Sequence, residues 1–112
     1  MKLKLSWLMG ATAASLLLAG QANASLDMEA GSALAKKSGC FACHTIEQKR
    51  VGPAWKDVAA KYAGDAAAKA SLVEWIKVGG AGRWNMGKMP AYSPRVADAD
   101  IEELAEFILS LK

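Results

Sequence analysis

The chain has 112 residues, which is enough for one small domain. Hydrophobic residues account for 53% of the sequence, and 14 basic against 11 acidic residues give a net charge of +3. Because this excess is small and no basic stripe with interleaved aromatic residues occurs, the composition excludes a nucleic-acid-binding protein.

The N-terminal segment has the three parts of a secretory signal peptide. Lys2 and Lys4 precede the apolar run LSWLMGATAASLLLA, and residues 22–24 form an A-x-A cleavage pattern. The alternative is a retained membrane anchor, but the apolar run is shorter than the roughly 20 residues of a transmembrane helix. We therefore predict a cleaved signal peptide at 1–24, a mature domain at 25–112 and no membrane insertion after cleavage. Loss of the two lysines lowers the net charge to +1.

Four segments of the mature chain carry helix signals, at residues 26–39, 53–64, 65–80 and 98–112. In the last segment, apolar residues recur at spacings of three and four, and Asp98 is expected to cap the helix. No alternation of apolar and polar residues predicts a strand. The predicted fold class is therefore all-α, with about four helices.

Both cysteines and the only histidine of the chain lie within the five residues CFACH. Cys40, Cys43 and His44 form the C-x-x-C-H motif of c-type haem attachment. Cysteines about one helical turn apart can both reach the vinyl groups at one edge of a porphyrin, and the adjacent imidazole can bind the iron. We therefore predict one covalently attached haem c, which also fills the core of a domain too small to complete one alone.

Two other readings of this cluster compete with haem. A structural zinc site requires four ligands, and no second C-x-x-C pair accompanies this one. A thioredoxin-like redox dithiol belongs to a βαβ unit, and the sequence predicts no strand. Both are therefore weaker interpretations than haem attachment.

The second axial position of the iron is the next question, since no other histidine exists. Residues 79–96 form a long Gly- and Pro-rich loop, of a length that is usually functional, and Met86 and Met89 both lie in it. A methionine opposite histidine raises the reduction potential of a haem. The alternative is that both methionines fill the core. From the residues alone, we expect one of the two to be the ligand.

In combination, the segments GCFACH, VGPAWKDVAAKYAG, GGAGRW, KMP and DADIEELAEFILSL resemble the small bacterial monohaem class I cytochromes c. The resemblance covers residues 26–112. It implies the class I cytochrome c fold, in which helices surround one covalent haem, and it implies a monomer in the periplasm.

The resemblance also implies roles for single residues. Cys40 and Cys43 would form the thioethers, and His44 would be the proximal ligand. The carbonyl of Pro53 would accept the Nδ1 proton of His44, which orients the ring and raises its basicity. Met89 in KMP, rather than Met86, would be the axial methionine, and Trp84 would bind a haem propionate through its indole N–H. The alternative, purely structural roles are a helix-start proline for Pro53 and core packing for Trp84.

The implied function is that of a one-electron carrier, not an enzyme, which shuttles electrons between respiratory complexes. Its partners would be reductases, oxidases or dehydrogenases that it meets transiently. Two alternatives are a dedicated electron-accepting subunit of one periplasmic dehydrogenase and a gas-binding haem sensor with a labile methionine ligand.

The sequence departs from the family's pattern at two places. Trp75 occupies a position that is often basic and near a propionate, and the segment between KMP and the last helix is about two residues longer than expected from the resemblance. The resemblance further places Leu34 and Phe107 near the contact between the first and last helices.

Overall fold

The computed structural model describes residues 27–112, so the predicted signal peptide and its cleavage site lie outside the described residues. Four helices and a single 3-10 turn follow one another: α1 at Met28–Lys37, the 3-10 turn at Cys40–Ala42, α2 at Trp55–Lys61, α3 at Ala68–Val78 and α4 at Asp98–Leu109. The β-structure of this part of the chain is one isolated bridge between Gly80 and Met89. The all-α prediction is confirmed.

Charged side chains stabilise both ends of helix α1. The Asp27 carboxylate caps the helix by accepting a hydrogen bond from the Glu29 N–H at 3.0 Å. Lys36 and Lys37 lie in the last turn, next to the negative end of the helix dipole.

The starts of all four helices differ from the predicted ones by one to three residues, and the largest difference is that α3 begins at Ala68 and not at residue 65. Helix α2 begins at Trp55 and not at Pro53, because the Trp55 N–H donates to the carbonyl of Thr45 and the chain before it is extended. The N-cap of α4 is Ala97, with no side-chain cap, so Asp98 is the first residue of the helix. Its carboxylate lies 3.4 Å from the Lys77 ammonium on α3.

Helices α1 and α4 meet at a glycine. A Cβ atom on Gly31 would overlap the ring of Phe107, which is fully buried. Leu34 is partly buried against the same core, in agreement with its predicted place. The absence of a side chain at Gly31 therefore lets the two helices approach closely.

Helix α4 is the centre of the packing. Helices α1, α2 and α3 each contact α4 and do not contact one another. Its buried face carries Ile101, Leu104, Ala105, Phe107 and Ile108. Because the three outer helices surround α4 without closing on each other, they leave a cleft on the side where the loop 79–96 returns. No helix within residues 27–112 has the length and apolar character needed to cross a bilayer.

Candidate functional site

The cleft has a volume of about 500 Å³, including the space at its mouth. It is lined by the segment after the 3-10 turn, by α3 and by the loop before α4: Cys43, His44, Val51, Gly52, Pro53, Trp75, Ala81, Gly82, Arg83, Trp84, Met86, Gly87, Lys88, Met89, Pro90 and Tyr92. A second cavity of about 370 Å³ shares His44, Trp84 and Met89 with the cleft and reaches the core at Leu72 and Ile108. The cleft therefore opens into the apolar centre of the domain.

The two cysteines lie on the 3-10 turn and at its end, and both thiols are free. The N–H groups of Cys43 and His44 both donate to the Cys40 carbonyl, at 3.2 and 3.1 Å. This tight turn brings the three side chains of the motif together. Burial raises the pKa of the Cys40 thiol to about 11, which keeps it protonated at neutral pH. Because a thiol reacts as its thiolate, this environment argues against a redox dithiol.

The imidazole of His44 is held by residues 52 and 53. Its Nδ1 lies 2.9 Å from the Pro53 carbonyl oxygen. A carbonyl only accepts, so Nδ1 carries the proton and Nε2 presents its lone pair. Burial lowers the pKa of His44, although the bond to Pro53 acts in the opposite direction. The ring also lies 5.5 Å from the Trp55 ring. A neutral, fixed imidazole of this kind is suited to bind a metal.

Gly52 is a second support for His44. A Cβ at this position would lie 2.5 Å from His44 Cε1, so any side chain would displace the ring. The sequence reasoning attached no role to this glycine, although its place in the VGPAW segment next to Pro53 was a signal that could have identified it.

Met89 and Met86 both line the cleft, but they are placed differently. The Met89 N–H donates to Gly80 at 2.8 Å and its carbonyl accepts from the Gly80 N–H at 2.9 Å. This bridge fixes the Met89 backbone next to the end of α3. Met89 lines both cavities, as His44 does, whereas Met86 lines only the outer one.

Trp84 lines both cavities, and the Lys61 ammonium lies 4.6 Å from its ring centroid. The neighbouring residue Arg83, which the sequence reasoning did not single out, also lines both. Its guanidinium carbon lies 4.5 Å from the centroid of the Trp75 ring. Two signals in the sequence could have identified Arg83. Tryptophan stands at position 75, where the resemblance implies a basic residue, and a basic residue precedes Trp84.

Comparison with known proteins agrees with this site. The sequence profile of the family described as "Cytochrome c" matches residues 28–112. Cytochrome c-552 of Nitrosomonas europaea is 46% identical over 110 residues, which are 98% of this chain and 100% of the relative. Cytochrome c-551 of Allochromatium vinosum is 53% identical over 78 residues, which are 70% of this chain and 82% of the relative.

A solved structure shares the fold. The crystal structure of wild-type Nitrosomonas europaea cytochrome c552 superposes with a TM-score of 0.68 at 49% identity, and the match covers 72% of this chain and 99% of the other. The chain therefore belongs to the cytochrome c family, and it is an electron carrier with the class I fold and one covalently bound c-type haem.

Proposed function

We propose that the protein is a periplasmic one-electron carrier with His44 and Met89 as the axial ligands of its haem, and that it shuttles electrons between respiratory complexes. The observation that carries this proposal is the pairing of two side chains that line the same two cavities. One is an imidazole oriented by a carbonyl, and the other is a methionine with a backbone fixed by two hydrogen bonds.

The residues of the cleft fit a haem in three respects. Two free thiols lie on one tight turn, as thioether attachment to one side of a porphyrin requires, and Cys43 lines the cleft. An imidazole with an available Nε2 lies directly beside them. One guanidinium nitrogen of Arg83 is buried without a hydrogen-bond partner, which suits a group that carries carboxylates.

The bound haem supplies one chemical property, the reversible uptake of a single electron at its iron. Cys40 and Cys43 hold the group covalently, so it stays with the chain through every cycle. His44 and Met89 would hold its iron and would leave no open position for oxygen or peroxide. The protein is accordingly an electron-transfer protein and not an enzyme.

Several residues keep the two ligands in place during electron transfer. Pro53 and Gly52 fix the orientation of His44, and the bridge to Gly80 fixes the Met89 backbone. The apolar side chains at the inner end of the cleft exclude water from the iron's surroundings. A rigid site without water rearranges little when the haem changes between its oxidised and reduced states. The double hydrogen bond at Met89 also argues against a gas sensor, which needs a methionine that detaches.

The location and partners follow from the same proposal. Residues 1–24 are removed on export, and the profile match at residue 28 begins shortly after this segment. The mature monomer meets a reductase or dehydrogenase and then an oxidase in brief encounters. Steady-state oxidation of the reduced protein by candidate oxidases, compared with its co-purification with a single dehydrogenase, separates the free carrier from the dedicated subunit.

The ligand assignment is tested with Met89→Ala and its matched control Met86→Ala. We expect the oxidised Met89→Ala protein to lose the weak long-wavelength absorption band of a methionine-ligated haem, because the sulfur ligand is gone. Met86→Ala should keep this band. If only Met86→Ala abolishes it, the assignment of Met89 is wrong. If the oxidised wild type lacks this band, His/Met ligation itself is wrong.

A further inference from the structure

Arg83 is a partly buried cation in the cleft. Its side chain lines both cavities, and its guanidinium is stacked 4.5 Å from the centre of the Trp75 ring. Its Nη1 atom is buried and makes no hydrogen bond to any group within residues 27–112. Among these residues it is the one buried side-chain nitrogen or oxygen that lacks a partner.

The buried Arg83 donor is energetically unfavourable as long as no bound group in the cleft supplies a hydrogen-bond acceptor. A guanidinium stays charged at any physiological pH, so it cannot relieve its burial by losing a proton. A buried N–H without an acceptor is destabilising, and more so when it belongs to a charged group. Stacking on tryptophan offsets part of this cost but supplies no acceptor.

The missing acceptor does not come from the part of the chain that the structure describes. Neither cavity is lined by an aspartate or a glutamate. The residues that line the two cavities therefore offer Arg83 no carboxylate, and a carboxylate acceptor there would belong to the bound group.

We propose that Arg83 binds a haem propionate in this chain, in addition to the predicted contact of Trp84, and that Trp75 holds the Arg83 guanidinium in position. The inference rests on the proposed function, because it requires haem in this cleft. Position 75, which is often basic in the family, here carries the aromatic platform, and the cation comes from the loop eight residues later. The basic side chain of Arg83 thus takes the role near a propionate that the resemblance implies for a basic residue at position 75.

Trp75 is itself held in place. A Cβ on Gly80 would lie 3.0 Å from Trp75 Cη2, so the ring packs against the backbone of this glycine. Gly80 is also the residue that forms the two hydrogen bonds with Met89. The same short segment thus supports both the platform of Arg83 and the predicted axial methionine.

A fixed guanidinium beside the haem has an electrostatic consequence. Reduction adds one negative charge to the group, and a nearby cation in a poorly solvated site stabilises that charge. Arg83 therefore raises the reduction potential, and it acts as a positioning residue for the propionate.

The test compares the reduction potentials of purified holoproteins. Arg83→Gln should lower the potential, and Arg83→Lys, which keeps the charge but not the planar fork, should restore part of the shift. The matched control is Arg95→Gln. Arg95 is also stacked on an aromatic ring, with its guanidinium carbon 4.7 Å from the Tyr92 centroid, but it is exposed. Because Arg95 is exposed and its charge acts on the site from the surface, its removal should lower the potential less than the removal of Arg83 does.

A second measurement reports the contact directly. In the reduced, diamagnetic protein, nuclear Overhauser effects between the residue 83 side chain and propionate methylene protons are expected in the wild type. Trp75→Leu should weaken them and lower the potential in the same direction as Arg83→Gln.

The inference is overturned if Arg83→Gln and Arg95→Gln shift the potential equally and the wild type lacks these Overhauser effects. The outcome is separable from the proposed function. A wild-type protein with a His/Met haem spectrum but without the Arg83 effect refutes only the inference, whereas a wild type without that spectrum refutes the proposed function.

Discussion

Two consecutive residues, Gly52 and Pro53, control the orientation of the His44 ring, although neither is next to it in the sequence. Pro53 accepts its Nδ1 proton at 2.9 Å, and Gly52 leaves the space in which the ring lies. The bond to Pro53 selects the tautomer, and the close approach of Gly52 selects the orientation. Together they determine which nitrogen faces the cleft and at what angle.

Gly52→Ala tests this control at the scale of one methyl group. The new Cβ would lie 2.5 Å from His44 Cε1, so the ring must move and its bond to Pro53 must lengthen. We expect a loss of about 1–3 kcal/mol in the unfolding free energy of the holoprotein, as for other overpacked sites. Denaturant unfolding followed by the haem absorption measures it.

The matched control is Gly87→Ala in the same cleft. There a new Cβ would meet only Val51 Cγ1, at an ordinary 3.8 Å. An equal loss of stability in both variants would contradict the role assigned to Gly52.

At the scale of elements, the contact between α1 and α4 depends on Gly31. The helix carries a glycine at an interior position, which by propensity alone weakens it by about 1 kcal/mol relative to alanine. The Phe107 ring occupies the space where a side chain would be. The close packing of the two helices thus outweighs the local helix preference.

Gly31→Ala separates these two effects. Helix propensity predicts a stabilised protein, whereas the overlap with Phe107 predicts a destabilised one. Because Phe107 is fully buried and cannot move into solvent, we expect a loss of about 1–3 kcal/mol. Thermal unfolding followed by far-UV circular dichroism decides the sign. Ala33→Gly, at an exposed position of the same helix, is the control and should cost about 1 kcal/mol through propensity alone.

At the scale of the whole molecule, the outer helices contact α4 and not each other. The interior between them is completed by the loop 79–96 and by the cofactor, rather than by further helix packing. A domain as short as residues 27–112 has little apolar surface to bury without such a group. The haem is therefore part of the core as well as the redox centre.

The double substitution of Cys40→Ser and Cys43→Ser tests the dependence of the fold on the cofactor. We expect a largely unfolded chain, because loss of covalent attachment removes a group on which folding depends. Circular dichroism should show low helix content and no cooperative melt. Ala42→Ser, at an exposed position between the two thiols, should fold normally. A cooperative and fully helical melt of the double variant would show that the helices form the fold alone.

The sequence by itself determined the cofactor and the fold class. The CFACH cluster identifies covalent haem because its chemistry depends on residue types at fixed spacing within one turn. The all-α class follows from the periodicity of the four helical segments and from the absence of strand patterns. Helix starts at Pro53 and Asp98 were predicted incorrectly, since the Thr45 carbonyl and the Lys77 ammonium, which contact these regions, are distant in sequence.

Only the tertiary structure decided how the loop residues are used. The stacking of Arg83 on Trp75, the bridge from Gly80 to Met89 and the approach of Gly31 to Phe107 join residues from separate segments. None of these three contacts can be predicted from hydrophobic periodicity or from the adjacent residues, because each depends on where the folded chain brings separate segments together. The preference for Met89 over Met86 stays a prediction, which the difference in their surroundings supports.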